Sequence, residues 1–167
     1  CSDDFFGLMY LNECVNSNGS GLDIAVGRMI VSDAKEADEM VNKVIEYHDL
    51  KSYGSWRNNL VFIGDDPNPE KQGDKELQYF QNKLADEIGT QKTFLNINKI
   101  LLDSYKQEVS GGGDRYPKAR EDIFEAFEKG ALVFNYLGHG GEDGLADERI
   151  WEKEDGENLN NQNKYPL

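Results

Sequence analysis

Four strand-length apolar runs punctuate this chain: Leu22 to Arg28, Leu60 to Ile63, Asn98 to Leu102 and Ala131 to Leu137. The second run is continuously apolar and stops at Gly64-Asp65-Asp66-Pro67; the third is followed by Asp103 and the fourth by Gly138. Strands that are apolar on both sides belong in a sheet covered on both faces, not in an alternating surface ribbon. Between them lie helix-length segments. Ser32 and Asp33 are placed to cap a helix running to about Leu50, with Glu36 set to satisfy early amides and with Ala37, Met40, Val41, Val44 and Ile45 as a predicted buried stripe. A second helix is expected from about Lys75 to Ile88, with Leu77, Phe80, Leu84 and Ile88 on one face. A third runs from Pro117 to Gly130, with Ile123, Phe124, Ala126 and Phe127 facing the core. The order strand, helix, strand, helix, strand, helix, strand predicts an α/β fold with a mostly parallel sheet between helical layers. The 167 residues suit one domain, with 1–21 as a peripheral hairpin or loop and 22–167 as the α/β core.

The functional signal lies in Ala131 to Gly144, ALVFNYLGHGGEDG. A strand delivers His139 to its end among Gly138, Gly140 and Gly141, where the main chain is open to close approach by a ligand. In open α/β sheets, ligands bind outside the carboxyl ends of the strands, so His139 is a candidate acid or base. A turn histidine held only by hydrogen bonds fits this stretch equally well. His48, near a helix end, reads as structural.

Charge narrows the partners. With 18 Lys and Arg against 32 Asp and Glu, the net charge is −14, which disfavours nucleic acid and anionic membrane surfaces. No apolar run is long enough to span a bilayer, and no secretory leader is recognised at the start. The opening Cys1-Ser2 suits a cut piece or an acylated cysteine. Cys14 lies in a polar run without an activating environment, so it is a poor nucleophile candidate. Ser110 to Arg115, SGGGDR, lacks the Lys-Ser/Thr of a phosphate-binding loop and reads as a flexible glycine run, with a mobile loop over a cleft as the functional alternative. There is no EF-hand pattern and no His/Cys cluster for zinc, so no cofactor is expected, although the acidic loops allow calcium.

Tyr116 to Arg149, together with LDIAVGR at 22–28, FIGDD at 62–66 and SDDFFG at 2–7, resembles the gingipain-like cysteine peptidases, and within them the PorU-type sortases of the type IX secretion system. The resemblance implies a caspase-like αβα sandwich with a Cys-His catalytic pair. It places the catalytic histidine at His139 and an oxyanion-hole amide at Gly140. It implies a peptide or protein substrate and a location at the cell envelope, outer-membrane surface or outside the cell. Glu142 and Asp143 belong to the family pattern and are expected at the rim of the substrate site. Asp65 or Asp66, at a neighbouring strand end, is the candidate acid that orients the histidine, with Asp74 in reserve. The family's nucleophilic cysteine follows the next strand, so it is expected in the remainder of the polypeptide beyond Leu167, and the chain by itself is expected to be inactive. Two other readings stay open: a non-catalytic doubly wound ligand-binding module, and a cell-surface interaction domain.

Overall fold

The computed structural model describes residues 3–9, 22–67, 76–111 and 113–166. Cys1, Cys14, Asp74 and most of the expected 1–21 hairpin lie outside these residues. The chain divides into two compact units, Cys1–Val44 and Ile45–Leu167.

In the first unit, Asp3–Gly7 forms a 3₁₀ turn, and the segment 22–31 runs beside it without joining a sheet. The strand expected at Leu22 to Arg28 is therefore absent. Its polar groups are spent on the turn instead: the Asp23 amide donates to the Gly7 carbonyl, the Met9 amide to Asp23, and Arg28 pairs with Asp3. Gly7 permits this approach, since a Cβ there would sit 2.9 Å from the Ile24 carbonyl oxygen. Helix α1, Ala34–Tyr47, begins as expected, with Asp33 accepting the Glu36 amide and the Glu36 carboxylate accepting the Ser32 amide and hydroxyl. Its apolar stripe is present but uncovered. Val41, Val44 and Ile45 are exposed, and no residue of α1 is buried. Periodicity marks a stripe; burial also needs a surface to lie against.

The second unit is built on strands β1 (Asn59–Gly64) and β2 (Asn96–Leu101), with helix α2 (Leu77–Gln91) between them in sequence. A small hairpin follows, β3 (Glu108–Ser110) and β4 (Gly113–Arg115), then helix α3 (Pro117–Lys129) and strand β5 (Val133–Leu137). In the glycine run, Ser110 pairs with Gly113 across this hairpin, and Gly113 takes a φ of 99° that a side chain would disfavour. After β5 come the two-residue strands β6 (Gly144–Leu145) and β7 (Trp151–Glu152) and the short helix α4 (Lys153–Glu157). Among the described residues, the main sheet has three parallel strands in the order β2-β1-β5. Among the described residues, no helix is long and apolar enough to cross a membrane.

The period-2 alternation along β1 divides the core. Val61 and Ile63 join Ile100, Leu102, Ala119, Ile123 and Ala126 under α3, while Leu60 and Phe62 pack with Ala85 under α2. Pro117 starts α3, and Gly130, at φ 86°, closes it by donating to the Ala126 carbonyl. Phe127 stacks on Phe134 at 3.8 Å between ring centres. The inward face of α2 is not the expected one: Gln78, Gln81 and Ala85 are buried, while Phe80 and Leu84 lie largely exposed. Gln81 holds its inner position because its amide bonds the carbonyls of Ile63 and Asn135 and accepts from the Asn135 side chain at 2.9 Å. A satisfied polar group avoids the cost of about 1–3 kcal/mol that an unpaired one carries, and this one ties β1 to β5.

Candidate active site

Register brings the site together. Gly64 of β1 lies level with Leu137 of β5, and the Asp65 amide donates to the Leu137 carbonyl at 3.1 Å, carrying the pairing one residue past the strand. The next residues, Asp65 and Gly138-His139, therefore emerge side by side. The buried Asp65 carboxylate uses one oxygen, Oδ2, twice: it accepts the His139 backbone amide at 2.8 Å and meets the ring Nδ1 at 2.9 Å. A proton on Nδ1 satisfies this contact and makes Nε2 the basic nitrogen. Gly138 is demanded by the closeness of that approach. A Cβ built on it would lie 2.2 Å from the Asp65 Cβ and 2.5 Å from the Tyr136 hydroxyl oxygen.

Past the histidine the chain folds back. Gly140 and Leu145 form an antiparallel bridge, made by the Ala146 amide donating to the His139 carbonyl and the Gly141 amide donating to the Gly144 carbonyl, each at 2.9 Å. The Gly140 amide takes no part in that pair of bonds. Glu142 and Asp143 are exposed at the tip, where they line a hollow of about 290 Å³ with Gly140 and Arg149. They do not line the cavity of His139.

That cavity, about 360 Å³, has an acidic wall: Asp66, Asp114, Asp147 and Glu148 surround Asp65 and His139. Asp66 accepts the buried Tyr116 hydroxyl at 3.1 Å. Burial, with the charges of Asp65 and Asp103, raises the Asp66 pKa against the lowering effect of the Tyr116 bond. Glu148 is raised by burial and by Asp66, Asp65 and Asp147. A folded-state carboxyl pKa above its unfolded value favours folding below the unfolded pKa, and that contribution is lost as pH rises through the folded pKa. Glu148→Gln is therefore expected to raise the melting temperature near neutral pH, with the gain vanishing below about pH 4. Thermal melts across this range check it; an equal effect at every pH would contradict it.

Asp147 and Glu148 ride on a turn whose Ala146 and Arg149 have positive φ, 61° and 54°. Arg120 pins this turn from α3, bonding the Arg149 carbonyl at 3.1 Å and the buried Asp155 carboxylate at 2.6 Å. Neither the acidic turn nor Arg120 stood out in the sequence, because non-glycine residues at positive φ carry no compositional mark. Tyr136, three residues before the histidine, was in plain view as part of the strand. Carboxylate oxygens of Asp65, Asp66 and Glu148 lie within 4.8 Å of one another, a hard-oxygen set of the kind calcium accepts. A cation there would compete with His139 for Asp65.

The sequence profile described as peptidase family C25 matches residues 1–167. No curated protein matches the chain. Two solved structures share its fold: the Arg-specific cysteine proteinase gingipain R (RGPB), with a TM-score of 0.65, and the complex of Porphyromonas gingivalis RgpB pro- and mature domains, at 0.63. Each is 18% identical over 99% of this chain, which spans 34% of either one. The caspase-like αβα arrangement expected from the sequence is thus the observed one, with three parallel strands in the main sheet. With its profile matched from end to end, the chain belongs to peptidase family C25.

Proposed function

We propose that this chain carries the general-base half of a cysteine peptidase site, with His139 as base, Asp65 as the acid that orients it and Gly140 as an oxyanion donor. The observation that carries this reading is the Asp65–His139 pair, in which one buried carboxylate oxygen fixes both the backbone and the ring of the histidine. Nε2 takes the proton of a cysteine thiol. The thiolate attacks the peptide carbonyl, and the negative charge formed on oxygen is met by the Gly140 amide. Asp65 stabilises the imidazolium, which then protonates the leaving amine. The resulting thioester is released by water in hydrolysis, or by an incoming amine in transpeptidation of the sortase kind. The thiol comes from the polypeptide beyond Leu167, on a strand laid beside β5. The acidic cavity favours substrates with a cationic side chain, and Glu142 and Asp143 flank the neighbouring hollow as its rim. The mechanism needs no cofactor; calcium bound by Asp65, Asp66 and Glu148 would draw Asp65 away from His139 and so oppose the base. Secreted proteins at the outer-membrane surface, handled in type IX secretion, are the substrates this reading expects.

The test compares two polypeptides on fluorogenic peptides bearing Arg or Lys before the scissile bond. One is extended past Leu167 through the next apolar strand and its cysteine; the other is the 167-residue chain. The extended form is expected to hydrolyse the peptide and to be inactivated by iodoacetamide, and the shorter form to be inert. Silence in the extended form would leave the acidic cavity as a binding site without chemistry. Hydrolysis by the shorter form, lost on changing His139 or Cys14, would overturn the placement of the thiol.

A further inference from the structure

The hydroxyl of Tyr136 donates to the backbone carbonyl of His139 at 2.5 Å, and the Ala146 amide donates to the same carbonyl at 2.9 Å. On β5, Tyr136 and Phe134 face the α3 side, where the tyrosine ring packs against the core, so the ring is anchored independently of its hydroxyl. Burial first, then the charge of Asp65, pushes the hydroxyl above its usual pKa, which keeps it a proton donor across the working range. The carbonyl it holds belongs to the peptide unit joining His139 to Gly140. Such a unit is planar, and no peptide bond here is cis, so the His139 C=O and the Gly140 N–H point in opposite directions across one rigid plate. Fixing the carbonyl aims the amide.

We infer that Tyr136 is the positioning residue of the oxyanion hole: its hydroxyl, by holding the His139 carbonyl, sets the direction of the Gly140 N–H. The inference rests on the peptidase reading in which Gly140 meets the developing oxyanion. Its second anchor, the Ala146 amide, belongs to the turn that Arg120 pins, so the plate is gripped from the strand and from the turn. Asp65 meanwhile fixes the preceding amide and the ring. The Tyr136 hydroxyl also lies against the Asp65 carboxylate, so the two supports of His139 adjoin, and the readouts below are chosen to tell the oxyanion donor from the base.

Tyr136→Phe deletes the hydroxyl and keeps the core-packed ring. In the full polypeptide it is expected to lower kcat about tenfold with KM within about twofold, since an oxyanion donor acts on the transition state more than on bound substrate. Inhibition by a peptide aldehyde, whose thiohemiacetal oxygen occupies the same hole, weakens by the same factor. Backbone 15N relaxation gives a readout independent of turnover. The Gly140 order parameter is expected to fall from the rigid range near 0.85 toward about 0.6, while those of Ile63 and Ile100 hold. If the full polypeptide hydrolyses nothing, the peptidase reading fails and the relaxation result alone decides the role of Tyr136. An unchanged Gly140 order parameter overturns the inference, as does a loss of activity carried by KM with aldehyde affinity unchanged.

Discussion

Exchanging Asp65 for asparagine in the extended, thiol-bearing polypeptide is expected to lower kcat by about 10³- to 10⁴-fold, the range in which loss of a base-orienting carboxylate falls. The side chain keeps its size, so the packing of Asp65 against Gly138 and Tyr136 survives. What goes is the negative charge that stabilises the imidazolium, together with the acceptor that defines the tautomer. An asparagine oxygen can still accept the His139 backbone amide, but its nitrogen can also turn toward Nδ1 and draw the proton to Nε2, where the base should be. His139→Ala is expected to match or exceed this loss. The double variant should be little worse than the more damaging single one, because residues acting as one unit are not additive. Steady-state kinetics on the three variants check this. A loss below about tenfold for Asp65→Asn would assign the orienting role elsewhere, with Asp66 as the nearest carboxylate at the same strand end.

Gly138→Ala is the largest stability change expected in the second unit, about 3 kcal/mol, at the upper end of the range for overpacking a filled site. The added methyl would have to occupy space 2.2 Å from one Cβ and 2.5 Å from a phenolic oxygen. Real Cβ atoms do not sit that close, and neither neighbour is a free flexible end. Asp65 is buried and doubly bonded to His139, and the Tyr136 ring is seated in the core. Relief requires β1 and β5 to part where the pair forms. Urea unfolding measures the effect, and a shift under about 0.5 kcal/mol would show that the strand ends separate easily. Gly141 is the control: a Cβ there meets nothing within 4 Å, so Gly141→Ala should be nearly silent.

Much of this site was legible because the features that make it are local. Apolar runs end at Gly64 and Gly138, and the residue after each glycine is chemically active. Two such ends in one parallel sheet are close whenever the strands are neighbours and in step. The sequence supported Asp65 and Asp66 alike; their distinct partners are set by which side of the β1 end each leaves, one toward His139 and one toward Tyr116. Features that depend on tertiary partners were not legible. LDIAVGR has strand composition, yet its polar groups bond the Asp3–Gly7 turn. The stripe on α1 has helical spacing, yet Val41, Val44 and Ile45 are exposed. Gln81 reads as a surface residue and is buried because strand carbonyls and Asn135 satisfy it.

The contact between Asp65 and His139 spans 74 residues of chain. Joining points so distant carries a loop-closure entropy of about 4 kcal/mol, and nothing repays it until β5 has docked against β1. On the peptidase reading, the imidazole is oriented only once β5 has paired with β1. A nascent or partly unfolded chain holds a histidine without an oriented ring, so any thiol that reached it early would find no competent base.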